Sequence, residues 1–241
     1  MKQNSERTNQ GRIGFQYKNK ALGLIYKEWY LAIKKQMSSQ KGLNIELGSG
    51  PGFIKEVIPE MITSDILLNS NVDMNLNALD IGIRYENKVS NLILINVFHH
   101  INDIESFLYS ATNALVHKGR IILIEPSNNI WSRLIYTLSP HEPYLTSQKN
   151  WRFTSLDPLF DSNQALSWIV FNRDLCFFKQ LFPEYYFIKY ESLMPFSYIL
   201  TGGHSLNTSI NNQLINCIRK LERPFLDKNF GLFDLICIEK T

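Results

Sequence analysis

The chain is short of cysteine, of blocks of like charge and of long apolar runs, and each shortage narrows what it can be. Its 241 residues hold only three cysteines, Cys176, Cys217 and Cys237, far apart and without a C-x-x-C pair. So sparse and odd a set suits a reducing compartment and argues against a disulfide framework or a zinc site. The longest apolar stretches have the length of a strand, far short of a membrane span. Residues 1–12 are polar and lack the apolar segment of a secretory signal. A cytoplasmic protein is the expectation. The net charge is +3, and no run of like charge exceeds Lys34-Lys35, so nothing marks a nucleic-acid surface. What is left is an ordinary globular composition, 44% hydrophobic and 20% charged. A chain of this length can form one large α/β domain, or one domain with a substantial insertion.

One further absence is informative. A dinucleotide loop of the form G-x-G-x-x-G would need glycine at position 53, and Phe53 stands there. What is present at residues 44–52 is Asn-Ile-Glu-Leu-Gly-Ser-Gly-Pro-Gly. A short apolar run carries an acid, Glu46, and Gly48, Gly50 and Gly52 follow at alternate positions. Glycines so closely spaced let the backbone turn sharply and approach a ligand within contact distance. Between a buried strand and a helix N-terminus, such a turn binds nucleotides.

Apolar periodicity organises the remainder. Residues 1–16 read as a flexible polar tail, and residues 17–241 as a single domain. Residues 17–37 repeat apolar positions at helical spacing. Strands are expected at Leu43–Leu47, 61–65, 72–76, 91–98 and 120–125, the fourth a near-continuous apolar run as in a sheet covered on both faces. A short helix over 53–58 is stopped by Pro59, and an amphipathic helix covers 103–116. His117-Lys118-Gly119 is expected to cap it, since cations favour the last turn and glycine the position after it. The order β-α-β-β-β-α-β points to a parallel sheet with helices on both faces. Beyond it come a helix over 128–138, a loop-rich stretch over 139–165, a helix over 174–181, a strand over 185–192, an aromatic loop over 195–205, a helix over 207–221 and a last strand over 233–239.

The E-x-G-x-G-x-G pattern resembles motif I of the class I S-adenosylmethionine-dependent methyltransferases, and the likeness extends over residues 43–126 and, more weakly, the C-terminal strand pair. The resemblance implies a Rossmann-like, seven-stranded, mostly parallel sheet with an antiparallel last strand. Insertions would follow strand five and separate strands six and seven. Residues 17–126 would form the cofactor-binding half and 127–241 the substrate-side half. The cofactor implied is S-adenosyl-L-methionine. Its amino-acid part would lie over Gly48, Ser49, Gly50 and Gly52, with Glu46 orienting the ammonium. An acid closing strand two would accept the ribose hydroxyls; Asp65 is preferred because it ends an apolar run, with Asp73 the competitor. Asn77-Ala78 stands where the family usually has Asp-Ala beside the adenine, and an asparagine carbonyl can still accept that hydrogen bond. Asn91 replaces the acid that commonly opens strand four, a second departure expected to weaken the cofactor site. Asn96, Val97 and His99, at the carboxyl end of strand four, would face the cofactor.

The run from Gly119 to Pro126 resembles strand five of the same family, which makes His141 and Glu142 the polar pair bordering the acceptor. The sequence Glu-Pro-Ser…Trp-Ser-Arg-Leu-Ile-Tyr…His-Glu-Pro is similar to that of bacterial methyltransferases of this type. Methyl transfer from a sulfonium is an in-line displacement, in which alignment of the reactants is the protein's main task. A general base matters when the acceptor is a hydroxyl. His141 is the candidate base, since imidazole titrates near neutral pH, and His99 the second catalytic candidate; each can equally be a loop or packing residue. No metal site is expected, because His99-His100 has no further ligands at suitable spacing. Trp131, Tyr136, Tyr144, Trp151, Phe153, Phe196 and Tyr198 suggest a small-molecule acceptor of apolar or ring character, such as a sugar or lipid-linked intermediate. The competing reading is a non-catalytic methyltransferase-like binding module that keeps the fold but has lost affinity for the cofactor, with Asn77 and Asn91 as its support.

Overall fold

The structure is a computed structural model that describes residues 19–67, 70–138, 142–154, 161–202, 211–222 and 230–241. The expected tail over 1–16 and His141 lie outside the described residues. Seven strands form one sheet, β1 Leu43–Leu47, β2 Ile62–Asp65, β3 Met74–Asn75, β4 Val89–Ile95, β5 Leu115–Pro126, β6 Tyr185–Leu193 and β7 Phe233–Lys240. Their spatial order is β3-β2-β1-β4-β5-β7-β6. β1 to β5 pair in parallel, and β7 runs antiparallel between β5 and β6.

Alternation along the central strands produces two cores. Leu92 and Leu94 of β4, Ile121 and Leu123 of β5, and Ile236 and Ile238 of β7 share one face. That face is covered by α2 Ile81–Arg84, α3 Ile104–Ala114, the short α5 Leu166–Trp168 with the π-helical turn Ile169–Arg173 behind it, and α6 Leu175–Leu181. Ile93, Ile95, Ile122, Ile124, Leu235 and Cys237 point the other way. There they meet α1 Lys20–Gln36 through Ile25, Trp29 and Ile33, and Ile215 of α8 Asn212–Glu222. The helices α4 Ile130–Leu138 and α7 Ser197–Leu200 complete the insertions that follow β5 and β6. All three cysteines are free, and no described helix is long and apolar enough to cross a membrane.

Several local expectations are corrected. The β1-to-β2 crossover carries no α-helix, only the 3-10 turn Phe53–Glu56, because Pro59 and the short segment before Ile62 leave no room for a longer one. The α3 helix ends at Ala114. Leu115 turns extended and passes directly into β5, where its side chain is fully buried in the core. His117, Lys118 and Gly119 therefore lie within the strand, and the left-handed residue is Lys118 at φ 58°, not Gly119. Strand β4 stops at Ile95, since Asn96 takes φ 53° and Phe98–His100 forms a 3-10 turn.

Asn91 is also reassigned. It sits near the start of β4, at the opposite end of the sheet from the glycine loop. Its Oδ1 accepts the Ser38 N–H at 2.7 Å, and its Nδ2 donates to Ser38 O at 3.1 Å and Asn44 Oδ1 at 2.8 Å. It joins β4 to β1 and to the end of α1, a structural task far from any ligand at the loop. Asn91→Ala strands these part-buried groups and is expected to cost about 1 kcal/mol or more; thermal unfolding reads it, and an unchanged midpoint would count against this role.

Candidate active site

Register places the carboxyl ends of the parallel strands along one edge. Leu47 pairs with Ser64 and Leu94, Asp65 with Asn75, and Ile95 with Ile124. The loops leaving those ends carry Gly48 to Gly52, Asp65, Asn77, Asn96 to His100, and Glu125. Ligands of open α/β sheets bind at this edge.

The glycine loop is held by its neighbour strand. Ser49 N–H donates to Ser64 O at 2.8 Å, Ser64 N–H donates to Ser49 Oγ at 3.2 Å, and Gly50 N–H donates to Asp65 Oδ2 at 3.1 Å. Ser49 is thus a staple of the loop. Gly48, Gly50 and Gly52 all have positive φ, 67°, 51° and 74°. Their surroundings differ. A Cβ at Gly48 would stand 2.4 Å from Val97 Cγ2, and one at Gly52 would stand 2.7 Å from Asn71 O. A Cβ at Gly50 would meet no atom of the described residues within 4 Å.

Beside this loop Glu46 is buried, 4% exposed, and its Oε2 has no hydrogen-bond partner among the described residues. Burial, with a smaller contribution from the charge of Asp65, pushes its carboxyl up to about 8. An orphaned buried carboxylate next to a glycine turn fits the ammonium of an amino-acid ligand. Asp65, raised chiefly by burial, accepts Gly50 N–H and the Leu67 N–H at 2.9 Å. Asp73 is engaged on the β2 side, where its oxygens accept Lys55 Nζ at 2.5 Å and the Thr63 N–H at 2.8 Å. Asn77 caps the 3-10 turn Ala78–Asp80, its Oδ1 accepting the Leu79 N–H at 3.1 Å. That is the oxygen which the family resemblance assigns to adenine.

The second cluster is polar and buried. Glu125, 0% exposed, accepts the N–H groups of Val97 and Phe98 on Oε1, both at 2.8 Å. Its Oε2 lies 2.5 Å from His99 Nδ1. On the other side of the ring, His99 Nε2 is 3.1 Å from Glu142 Oε2, which also accepts Ser162 Oγ at 3.0 Å. Burial opposes a charge on His99, but the two carboxylates outweigh it and push the imidazole up to about 10. Glu142, disfavoured as an anion by burial, is nevertheless held down to about 2 by His99 and His100. His99 therefore holds a proton at neutral pH. Sequence reasoning singled out His99 and Glu142 but missed that Glu125 and Glu142 close on His99 from both sides. Ser162 carried no signal, standing 20 residues from Glu142 in the chain, and His100 was read only as the neighbour of His99, because its approach to Glu142 comes from a distant loop.

The aromatic residues expected around an acceptor are largely structural. Trp151 is buried in one core, and Tyr198 stacks on Trp29 and meets Phe233 in the other. Trp131 packs on Phe196 and donates to Pro195 O at 2.6 Å. Tyr136 packs on Tyr144, and their hydroxyls donate to Leu232 O and Ser127 O.

No protein-family model and no curated protein matches the chain. Solved structures do. A SAM-dependent methyltransferase from Archaeoglobus fulgidus matches with TM-score 0.53 over 90% of this chain and 93% of that one, at 13% identity. The geranyl diphosphate C-methyltransferase of Streptomyces coelicolor A3(2), crystallised with Mg2+, geranyl-S-thiolodiphosphate and S-adenosyl-L-homocysteine, matches with TM-score 0.56 over 94% and 81%, at 11% identity. The YcgJ protein of Bacillus subtilis matches with TM-score 0.50 over 88% and 96%, at 13% identity. At these identities the likeness is one of fold. The chain has the fold of the class I S-adenosylmethionine-dependent methyltransferases.

The contrast between two glycines can be measured. Gly48→Ala meets Val97 and is expected to destabilise the protein by about 2 kcal/mol or more. Gly50→Ala bears only the strain of its positive φ, about 1–2 kcal/mol, and projects a methyl group to where a ligand would lie. Denaturant unfolding of both variants checks the order.

Proposed function

We propose that the chain is a methyltransferase that uses S-adenosyl-L-methionine and a small-molecule acceptor. The observation that carries this reading is Glu46, a buried carboxyl group whose Oε2 has no hydrogen-bond partner among the described residues, close to the glycine turn at Gly50. Glu46 would hold the ammonium of the cofactor, and the backbone of Gly48 to Gly52 its carboxylate. Asp65 would accept the ribose hydroxyls on lone pairs left by Gly50 and Leu67, a reading supported by the engagement of Asp73 elsewhere. Asn77-Ala78 and Asn96-Val97 would border the adenosine. When bound, the cofactor supplies an electrophilic methyl group. The protein's residues then have to align an acceptor, exclude water and manage a proton. Alignment alone is worth roughly 7–11 kcal/mol of a barrier.

In the state described, His99 carries a proton and is a poor base. The chain's remaining candidate is His141, next to Glu142 in sequence. His141→Ala is expected to lower turnover about 100-fold or more if the acceptor is a hydroxyl; unchanged turnover on the true substrate would remove His141 from the mechanism. A non-catalytic binding module would bind cofactor without turnover, or fail to bind it.

Calorimetric titration with S-adenosylmethionine tests the reading directly, and absence of binding at millimolar cofactor would sink it. The pH dependence has a definite sign. Below a Glu46 value of about 8 the empty site is protonated, so binding an ammonium displaces a proton and affinity rises with pH up to that value. Glu46→Gln should flatten this rise and weaken binding about 10- to 100-fold. The same substitution should raise the melting temperature of the ligand-free protein at pH 8, because it removes a buried charge.

A further inference from the structure

The acceptor side of the site brings together three ligand atoms of metal-binding type. One nitrogen each of His99 and His100 and one oxygen of Glu142 all lie within 4.8 Å of one another. Glu142 Oε2 is 3.1 Å from His99 Nε2 and 3.6 Å from His100 Nε2. With metal–ligand bonds of about 2.0–2.2 Å, ligand atoms around one ion stand about 3–3.5 Å apart, so Glu142 already stands near that spacing from both histidines, and the histidine nitrogens lie within 4.8 Å of each other. Two independent contacts prepare the set. Glu125 holds Nδ1 of His99, which fixes the ring with Nε2 toward the cluster, the carboxylate–histidine arrangement that supports metal-ligating imidazoles. Ser162 Oγ holds Glu142.

We propose that His99, His100 and Glu142 bind one divalent first-row transition ion, of which Zn2+ is the reference, with Glu125 as the positioning residue for His99. The ion would sit between His99 Nε2 and Glu142 Oε2, which stand 3.1 Å apart. Two imidazoles and one carboxylate suit Zn2+, Fe2+ or Co2+ and not Mg2+ or Ca2+, which take all-oxygen sets. Three protein ligands leave at least one position for water or for a heteroatom of the acceptor. An ion there would lower the pKa of a bound hydroxyl or thiol, and this makes an oxygen- or sulfur-bearing acceptor the class expected. The acceptor class rests on the methyl-transfer reading; the ion site does not.

The 241-residue chain, stripped with a chelator, is titrated with Zn2+ by calorimetry and with Co2+ by visible absorption. One equivalent of either ion is expected, with Co2+ bands of a nitrogen-bearing site of low coordination number. Glu142→Gln and His100→Ala should weaken uptake more than about 100-fold, and Glu125→Gln about 10- to 100-fold, while the S-adenosylmethionine titration of His100→Ala stays near that of the parent protein. If Glu142→Gln melts early, His100→Ala decides. Failure of the parent protein to take up one equivalent at sub-millimolar ion, or uptake that His100→Ala leaves unchanged, overturns the site. Metal uptake without any S-adenosylmethionine binding overturns the methyltransferase reading and leaves the ion site in place.

Discussion

A single buried carboxylate organises this molecule's working edge. Glu125 has no exposed surface, and a buried carboxylate must be fully hydrogen-bonded or it costs several kcal/mol. Among the described residues its partners come from the segment after β4: the Val97 and Phe98 N–H groups and the His99 ring. For the chain to present them, Asn96 must swing to positive φ, a conformation asparagine tolerates better than most residues. Val97 then lies against the first glycine of the loop, where a Cβ would collide with it. The requirement for glycine at position 48 thus begins with an acid on β5. The loop, the β4 end and the histidines form one mechanically linked edge.

Behind that edge the β1-to-β2 connection is unusually spare. Most Rossmann-like loops lead into a helix whose N-terminal dipole faces the ligand. Here a 3-10 turn follows, too short to offer much dipole. The burden of recognising an anionic or zwitterionic ligand falls correspondingly on individual groups, on loop N–H groups and on Glu46. The face that a longer crossover helix would cover is covered by α1, whose Trp29 reaches Tyr198 and Phe233.

Local pattern revealed much of this architecture. The apolar runs at β4 and β5 identified buried parallel strands, and the alternating glycines marked a loop whose backbone conformation ordinary residues resist. Helix and strand ends were less legible where tertiary contacts overrode local signals: His117-Lys118-Gly119 has the chemistry of a helix cap, yet burial of Leu115 starts the strand before the cap is reached. Asn91 looked like a degraded ligand position because it was compared with a family pattern, while its own partners, Ser38 and Asn44, lie far off in sequence. The cluster around His99 was invisible for the same reason. Glu125 and Glu142 stand 26 and 43 residues away from it, and no periodicity predicts such a meeting. The aromatics show the converse: their composition suggests a pocket, and their contacts make most of them packing.

The two ends of α1 are fastened to different parts of the molecule. At its C-terminal end, Gln36 O accepts Arg120 Nη1 at 2.7 Å and Ser38 meets Asn91. At its N-terminal end, Asn19 Nδ2 donates to Thr201 O at 2.8 Å, within the insertion between β6 and β7. Seventeen residues make a rod about 25 Å long. A rod of that length, pinned at both ends and buried along one side, is a strut that ties the insertion around Thr201 to the opposite rim of the sheet.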